Sequence, residues 1–284
     1  MISGILNVNK ELGISSNKCV SLVKKALDTK KVGHTGTLDL EASGVLPIVI
    51  GKATRVSDFL MDEKKEYITE AVFGFRTDTL DWSGQVVYKS EKTFSKDMLL
   101  TAMESFTGEI TQIPPMYSAI KINGQKMYDL ARKGIEVNRK TRKVTIYDFK
   151  LIDFEFPKAT FKIACSKGTY IRTLIDDLGE TLATYAYVSK LSRTKVGDFS
   201  IDESINSSDL LDMQREEIIS KLKPVDFVLK GYEKLRLDKS YFKQATNGIT
   251  MRVDDFYSDD LVRVYVDDEF IGLGKNFKND DQYF

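Results

Sequence analysis

The most informative part of the chain is residues 31–50, which read KVGHTGTLDLEASGVLPIVI. Glycines at positions 33, 36 and 44 interrupt any regular periodicity, so we expect a long loop over residues 31–47 that carries function. The apolar run that follows, residues 45–50, predicts a buried strand. His34 and Asp39 lie on this loop among hydroxyl side chains, and its glycines allow a backbone to approach a ligand closely.

Asp39 is the candidate reactive group of this loop. A carboxylate can serve as a nucleophile when it is ionised and held in place. A glycine-rich turn in which Asp39 only caps a helix explains the same residues, and the loop alone leaves both interpretations open. The segment also resembles a phosphate-binding loop, but six residues separate Gly44 from Gly51 where that motif needs four, and Ala53 replaces its Ser or Thr. We therefore reject ATP or GTP binding.

The composition restricts the chemistry further. The 284 residues include 42 basic and 42 acidic side chains, a formal net charge of zero, and 42% apolar residues, as in ordinary folded proteins. The single histidine, His34, and the two cysteines, Cys19 and Cys165, exclude a multi-histidine or cysteine-based metal site and argue against a disulfide framework. Acid–base chemistry must then use carboxylates, tyrosine, lysine or His34. The longest apolar run is far shorter than the roughly 20 residues of a membrane span.

Two further segments carry candidate functional residues. Residues 165–172, CSKGTYIR, join a predicted strand to a predicted helix, and a helix N-terminus with Lys, Thr and Arg suits an anion. There Tyr170 offers a flat face on which a base can stack, and Arg172 can pair with a carboxylate. Residues 113–134 interleave basic side chains with tyrosines, a pattern typical of contacts to phosphates and bases. Taken alone, each segment is also explained by an ordinary strand end or a solvated helix.

The charged residues are unevenly distributed along the chain. Residues 121–143 contain eight basic and two acidic side chains, whereas residues 200–284 contain 12 basic and 18 acidic ones. This asymmetry indicates either a segment that meets an anionic partner or two solvated faces of opposite sign.

Local patterns predict a mixture of helices and strands without strict alternation, which is typical of the α+β class. We expect a domain boundary near residue 228, where the composition shifts and short strands begin. The predicted helices cover residues 16–27 (capped by Ser16), 95–106, 173–183 and 207–222 (capped by Ser207). The predicted strands cover residues 5–10, 66–75, 84–89, 143–156 and 159–165, with a late hairpin LVRVYV–DD–EFIGLG.

In chain order, the segments at residues 4–17, 32–55, 66–87, 113–137 and 165–182 resemble the tRNA pseudouridine synthase B (TruB) family. The resemblance implies a pseudouridine synthase fold over residues 1–228, α+β with a mixed, mostly antiparallel sheet flanked by helices and loops. It implies a small β-rich, PUA-like RNA-binding domain over residues 229–284. Within the first domain, the segment from about residue 115 to residue 143 corresponds to a mobile segment of the family that closes over the RNA.

The resemblance also implies roles for individual residues. Asp39 matches the catalytic aspartate of the family, and Arg172 matches the arginine that pairs with it. The remaining matches are substrate-binding: the active-site tyrosines Tyr67 and Tyr170, the histidine that supports flipped-out nucleotides, His34, and an apolar residue of the pocket wall, Leu191.

The implied reaction converts one uridine of the tRNA T-loop, at conventional position 55, into pseudouridine. It proceeds by base flipping and an aspartate-dependent cleavage and re-formation of the glycosidic bond, without a metal or organic cofactor. The expected partner is the T-arm of tRNA, bound by a cytoplasmic monomer without a protein partner or a membrane.

Other functions remain open at this point: a non-catalytic RNA-binding or tRNA-folding module, an RNA-guided synthase inside a ribonucleoprotein, and a small-molecule enzyme with a glycine-rich loop. The intact set of Asp39, Tyr67, Tyr170 and Arg172 favours catalysis, and the basic insertion at residues 115–143 favours stand-alone action.

Overall fold

The computed structural model describes residues 2–118, 120–122, 124–131, 133–135, 137–251, 253, 258, 260–275, 278–279 and 282–283. The strands are β1 (Gly4–Lys10), β2 (Val32–His34), β3 (Ala42–Ile50), β4 (Lys65–Phe73), β5 (Phe75–Thr77), β6 (Val86–Lys89), β7 (Gly108–Gln112), β8 (Lys121–Ile122), β9 (Gln125–Lys126), β10 (Arg142–Glu155), β11 (Lys158–Cys165), β12 (Ala186–Val196), β13 (Phe199–Ser200), β14 (Ile205–Asn206), β15 (Lys234–Leu237), β16 (Leu261–Val266), β17 (Glu269–Lys275), β18 (Lys278–Asn279) and β19 (Gln282–Tyr283). The α-helices are α1 (Ser16–Ala26), α2 (Ser57–Asp62), α3 (Lys96–Glu104), α4 (Met127–Ala131), α5 (Ile171–Thr181), α6 (Arg215–Ser220) and α7 (Phe242–Thr246).

The centre of the molecule is a ten-stranded sheet in the order β14-β1-β3-β12-β4-β11-β10-β7, with β2 paired to β3 and β13 paired to β12. Only β1 with β14 and β3 with β12 run parallel among the described strands of this sheet. The prediction of a mixed, mostly antiparallel sheet with flanking helices is therefore confirmed.

The parallel contact between β3 and β12 depends on a glycine. Gly44 pairs with Arg193, and its φ is +112°, a conformation that other residues rarely adopt. A Cβ atom at this position would lie 2.2 Å from the carbonyl oxygen of Arg193. The absence of a side chain therefore lets the strand that follows the Asp39 loop lie directly beside β12.

Two helices cover one face of the sheet through apolar side chains at helical spacing. Helix α1 buries Cys19, Val20 and Val23 in a cluster with residues of β1 and β3. Helix α5 buries Leu174 and Leu178, with other residues, in a cluster with β4, β10, β11 and β12. Both helices are therefore fixed to the same sheet, and the Asp39 loop connects to both of them.

Several local predictions are confirmed and others are wrong. The helix predicted over residues 95–106 forms as α3, and the late hairpin forms as β16 and β17. The cap of α1 is Ser15 instead of Ser16, since the Ser15 side chain accepts the Lys18 N–H. The predicted loop at residues 31–47 contains β2 and the start of β3, because residues 32–34 pair with residues 48–50.

The predicted helix over residues 207–222 is also wrong. Its expected cap, Ser207, is buried and donates its hydroxyl to Glu11 Oε2 at 2.7 Å, a contact across 196 residues. A short 3₁₀ helix, Asp209–Leu211, follows, and α6 begins only at Arg215. Because the Ser207 hydroxyl is bonded to Glu11, it does not cap a helix that begins at residue 207.

The C-terminal part forms a small sheet of β15, β16 and β17, which confirms the predicted small β domain. Arg263 of β16 donates to the Tyr232 carbonyl at 2.9 Å and to Asp226 Oδ2 at 3.3 Å, and the Tyr265 hydroxyl also contacts Asp226. Phe270 and Leu273 of β17 pack against an apolar cluster that includes Ile5 of β1 and Val49 of β3. None of the helices among the described residues is long and apolar enough to cross a membrane.

Candidate active site

Asp39 is positioned by its neighbours in the chain. The Leu38 N–H donates to Ser16 Oγ at 2.9 Å, and the same hydroxyl donates to the Leu38 carbonyl at 3.1 Å. The Gly13 N–H donates to the Leu40 carbonyl at 2.8 Å. These bonds tie both flanks of Asp39 to the start of α1, while 41% of the Asp39 side chain remains exposed to solvent.

Arg172, in the first turn of α5, is the central partner of Asp39. Its side chain is only 5% exposed, and its Nη2 lies 2.9 Å from Asp39 Oδ2. Nη1 donates to the Thr79 carbonyl at 2.7 Å, and Nη2 donates to the Tyr117 carbonyl at 2.8 Å. Asp39 is one of four partners around this planar guanidinium. Because the other three fix the guanidinium in place, Arg172 holds the Asp39 carboxylate in one orientation with positive charge beside it.

The fourth of these partners is a second carboxylate. Asp81 Oδ2 lies 3.4 Å from Arg172 Nη1, and the Asp81 side chain is 6% exposed. Its Oδ1 accepts the Thr79 hydroxyl at 2.7 Å, the Ser83 hydroxyl at 2.6 Å and the Ser83 N–H at 3.1 Å. Asp81 is therefore a buried carboxylate with a hydrogen-bonded Oδ1 and with Oδ2 paired to Arg172, whereas Asp39 is the carboxylate open to a ligand.

A second buried arginine, Arg193, connects Tyr67 to the loop that carries His34 and Asp39. Arg193 donates to the Val45 carbonyl at 2.7 Å and to the Gly36 carbonyl at 3.0 Å, and it also hydrogen-bonds the Tyr67 phenol. Burial raises the pKa of Tyr67 above its usual value, so the phenol stays protonated at neutral pH. Burial, with a smaller effect of the Arg193 charge, lowers the pKa of His34, which favours a neutral imidazole.

Tyr170 and Leu191 lie at the borders of this region. Tyr170 immediately precedes α5; its N–H donates to Gln112 Oε1 at 3.0 Å and its carbonyl accepts Gln112 Nε2 at 3.2 Å. The Arg142 guanidinium lies 5.5 Å from the centre of its ring. Leu191 is half-buried against the core of the main domain and pairs through its backbone with Ala42, three residues after Asp39.

The structure thus brings Asp39 and Arg172 into direct contact, and Arg193 connects Tyr67 to the loop that carries His34. Sequence reasoning missed Asp81 and Arg193. For Asp81 a signal was present, because it lies between the hydroxyl residues Thr79 and Ser83 in a turn. Arg193 lies in a strand whose pattern does not distinguish it from a surface cation. In the part of the chain that the structure describes, no group of three or more His, Cys, Asp or Glu side chains is placed to hold a metal ion.

Comparison with known proteins places this geometry in a family. The model of the TruB family pseudouridylate synthase N-terminal domain matches residues 24–171, and that of the tRNA pseudouridylate synthase B C-terminal domain matches residues 172–230. A tRNA pseudouridine synthase B from Clostridium tetani is 43% identical over 98% of this chain and 96% of its own length. One from Alkaliphilus oremlandii is 45% identical over 96% of this chain and 93% of its own.

The chain belongs to the TruB family. It is therefore a pseudouridine synthase, an isomerase, and the predicted family and enzyme class are confirmed. In this TruB chain, Asp39 and Asp81 fall within the N-terminal family match, and Arg172 is the first residue of the C-terminal match. The ion pair between Asp39 and Arg172 consequently joins the two matched regions.

Solved structures give the same fold. A chain of a Cbf5–Nop10–Gar1 complex matches with a TM-score of 0.72 and 28% identity, over 96% of this chain and 78% of that chain. A chain of an H/ACA ribonucleoprotein bound to a substrate RNA containing 2′-deoxyuridine matches with a TM-score of 0.72 and 26% identity, over 98% of this chain and 79% of that chain. These neighbours come from ribonucleoprotein assemblies, whereas the curated relatives are named as tRNA enzymes.

Proposed function

We propose that this TruB protein isomerises uridine 55 in the T-loop of tRNA to pseudouridine, with Asp39 as the catalytic residue. The observation that carries the proposal is the pairing of a solvent-open Asp39 with a buried Arg172 at 2.9 Å in a chain of this family. A carboxylate that must meet a substrate needs both an open face and a fixed orientation, and Asp39 has both.

The reaction breaks the bond between the ribose C1′ and the uracil N1 and forms a bond between C1′ and C5. N1 gains a proton and C5 loses one, so the base needs a group that holds it while it turns and a group that moves the C5 proton. The uridine must first leave its stack, because its edges are inaccessible inside a folded loop. Asp39 is the candidate for covalent or proton-transfer assistance in these steps.

The protonated Tyr67 phenol is suited to holding the base and poorly suited to removing a proton. Its raised pKa leaves it without the charged form that a base requires at neutral pH. Asp39 is consequently the better candidate for taking the C5 proton as well. Tyr170, half-buried beside Arg172, offers an aromatic face, and stacking of a base on such a face contributes about 1–3 kcal/mol.

The basic segment at residues 115–143 is proposed to grip the T-arm. Its exposed Lys133 and Lys140 can neutralise phosphates, and the Tyr117 carbonyl at its start accepts a hydrogen bond from Arg172 at 2.8 Å. RNA bound by this segment is therefore connected directly to the arginine that orients Asp39. Four positions of the segment, 119, 123, 132 and 136, lie outside the described residues, and its mobility stays a prediction.

We further propose that the enzyme works as a cytoplasmic monomer on tRNA without a protein partner or cofactor. The relatives that are 41–45% identical are named tRNA pseudouridine synthase B, which supports tRNA as the substrate. An RNA-guided enzyme is the second candidate, because chains of ribonucleoprotein complexes share the fold with a TM-score of 0.72. Activity on a bare T-arm hairpin distinguishes the two, since a guided enzyme needs its guide and partners.

The test uses a T-arm stem-loop labelled with tritium at uridine C5. Tritium release and RNA binding are measured for the parent, for Asp39→Asn and for Asp58→Asn, a matched loss of one exposed carboxylate on α2. We expect release by the parent and by Asp58→Asn, no release by Asp39→Asn, and binding by all three. Tight binding without release by the parent would instead support a binding module or a missing guide.

A further inference from the structure

Residues 75–89 form a hairpin arm of β5, an eight-residue connection and β6, and this arm supplies two partners of Arg172. The Thr79 carbonyl accepts Nη1 at 2.7 Å, and Asp81 pairs with the same nitrogen at 3.4 Å. The arm is not part of the central sheet, since β5 and β6 pair only with each other as a two-stranded ribbon among the described strands. The place of the arm along α5 therefore affects how Arg172 is held.

A third contact joins the arm to the same helix. Arg76 of β5 places Nη2 2.5 Å from Asp176 Oδ2 and Nη1 2.6 Å from Glu180 Oε1. Arg172, Asp176 and Glu180 follow each other at intervals of four residues, so they lie along one face of α5. This stripe contacts the arm at two places: the catalytic end through Arg172 and the far end through Arg76.

We infer that Arg76 is a positioning residue for the isomerisation, because its double ion pair fixes the arm along α5 and thereby the Thr79 carbonyl and Asp81 against Arg172. The inference deepens the proposed function and rests on Asp39 being the catalytic group. Arg76 does not itself contact Asp39; it acts through the arm.

Other attachments of the arm lead to the connection between α5 and β12, where the Tyr88 ring stacks on the Tyr185 ring with centroids 5.3 Å apart, and to the sheet. The Trp82 N–H donates to the Val188 carbonyl at 3.0 Å, and the Val188 N–H donates to the Leu80 carbonyl at 3.1 Å. These bonds fix the arm to β12, but the position of the arm along α5 depends on side-chain contacts. Misplacement of a catalytic group by about 1 Å can reduce a rate up to about 100-fold, so a small slide of α5 along the arm affects turnover.

The surroundings of Asp176 show that its partner matters. Its side chain is 3% exposed, and its Oδ1 has no hydrogen-bond partner among the described residues. Burial raises the pKa of Asp176 to about 7, while Arg76 acts in the opposite direction. Because Arg76 compensates the charge of this buried carboxylate through only one of its oxygens, the contact depends on the position of the guanidinium as well as on its positive charge.

The experiment measures single-turnover pseudouridine formation and the dissociation constant on an unmodified full-length tRNA transcript, with the modified position mapped. The variants are Arg76→Gln, Glu180→Gln and, as the matched control, Lys89→Gln, which removes a cation from the other strand of the arm. The Lys89 ammonium lies 5.9 Å from the centre of the Phe75 ring and has no carboxylate partner among the described residues. We expect a roughly tenfold slower rate at saturating RNA for Arg76→Gln, a smaller loss for Glu180→Gln and none for Lys89→Gln, with dissociation constants changed less than about threefold.

A second pair of variants covers the case in which Arg76→Gln does not fold, since it leaves Asp176 buried without its partner. Arg76→Lys keeps the charge and loses the double contact, and Arg76→Gln combined with Asp176→Asn removes both charges together. Either is expected to fold and to show the slower rate. Normal rates in every folded variant would overturn the inference.

A double-variant comparison separates positioning from general stability. If Arg76 acts through Asp81, adding Arg76→Gln to Asp81→Asn lowers the rate by less than about threefold further, whereas independent effects multiply to the full tenfold. The multiplied result, or a loss that appears only as weaker RNA binding, would contradict the inference. A parent enzyme that modifies a uridine other than position 55 would refute the proposed position, while the ratio of variant to parent rates would still decide the role of Arg76.

Discussion

Replacing Asp81 with Asn is predicted to damage both stability and rate, whereas replacing Asp39 with Asn stops the reaction and leaves stability nearly unchanged. Both carboxylates pair with Arg172, at 3.4 Å and 2.9 Å respectively. The difference lies in burial, because the Asp81 side chain is 6% exposed and the Asp39 side chain is 41% exposed.

The magnitude follows from the separation of the charges. Two unit charges 3.4 Å apart attract by about 5 kcal/mol at an effective dielectric constant of about 20. Asn retains an oxygen that can accept the bonds of Thr79 and Ser83, and Arg172 keeps Asp39 and two carbonyl groups, so part of this energy is recovered. We expect Asp81→Asn to lower the free energy of unfolding by about 3 kcal/mol, and Asp39→Asn to lower it by less than about 1 kcal/mol.

Urea denaturation of the two variants and the parent measures the stability difference, and tritium release from the T-arm stem-loop measures the rate. Asp81→Asn is expected to retain slow release, about 100-fold below the parent, because Arg172 remains present but less well oriented. Equal losses of stability in the two variants would refute the argument from burial. A full rate in a folded Asp81→Asn would refute the role of Asp81 in orienting Arg172.

Three further outcomes follow from the structure. Because the pKa of His34 lies below its ordinary value of 6.5, the unfolded chain takes up a proton first as the pH falls, so the free energy of unfolding declines below pH 6.5. Urea titrations at about pH 5.5 and about pH 7.5 should show a smaller decline in His34→Gln than in the parent. Turnover should fall only modestly in His34→Ala. Burial lowers the pKa of Lys65 to about 8. Between about pH 8 and about pH 10.5 the unfolded chain therefore binds one proton more than the folded chain, and the free energy of unfolding should rise by up to about 3 kcal/mol. Urea titrations over this range should show the rise in the parent and not in Lys65→Met. Gly44→Ala should lower the free energy of unfolding by about 3 kcal/mol, because its Cβ would collide with the Arg193 backbone. Gly13→Ala should lower it by about 1 kcal/mol, because Gly13 has a φ of +81° but open space around it. Comparable midpoints of thermal denaturation for the two variants would contradict the steric argument.

The sequence determined the features whose cause is local. The helical spacing that predicts α3 and the two strand segments around a two-residue turn that predict the β16–β17 hairpin involve residues a few positions apart, so composition and spacing were sufficient. The resemblance to the family supplied Asp39 and Arg172 as partners, and the structure places them 2.9 Å apart. The assignments of Tyr67, Tyr170, His34 and Leu191 to the substrate stay predictions.

Only the tertiary structure decided which distant groups complete the site. Asp81 reaches Arg172 because the arm at residues 75–89 packs along α5, and Arg193 reaches Gly36 because β12 lies beside β3. The same kind of contact, between Glu11 and Ser207, removed a predicted helix cap. Periodicity in a sequence specifies which face of an element is apolar, but the choice of neighbour depends on how several such faces pack together, and that choice sets the burial and the charge around each catalytic group.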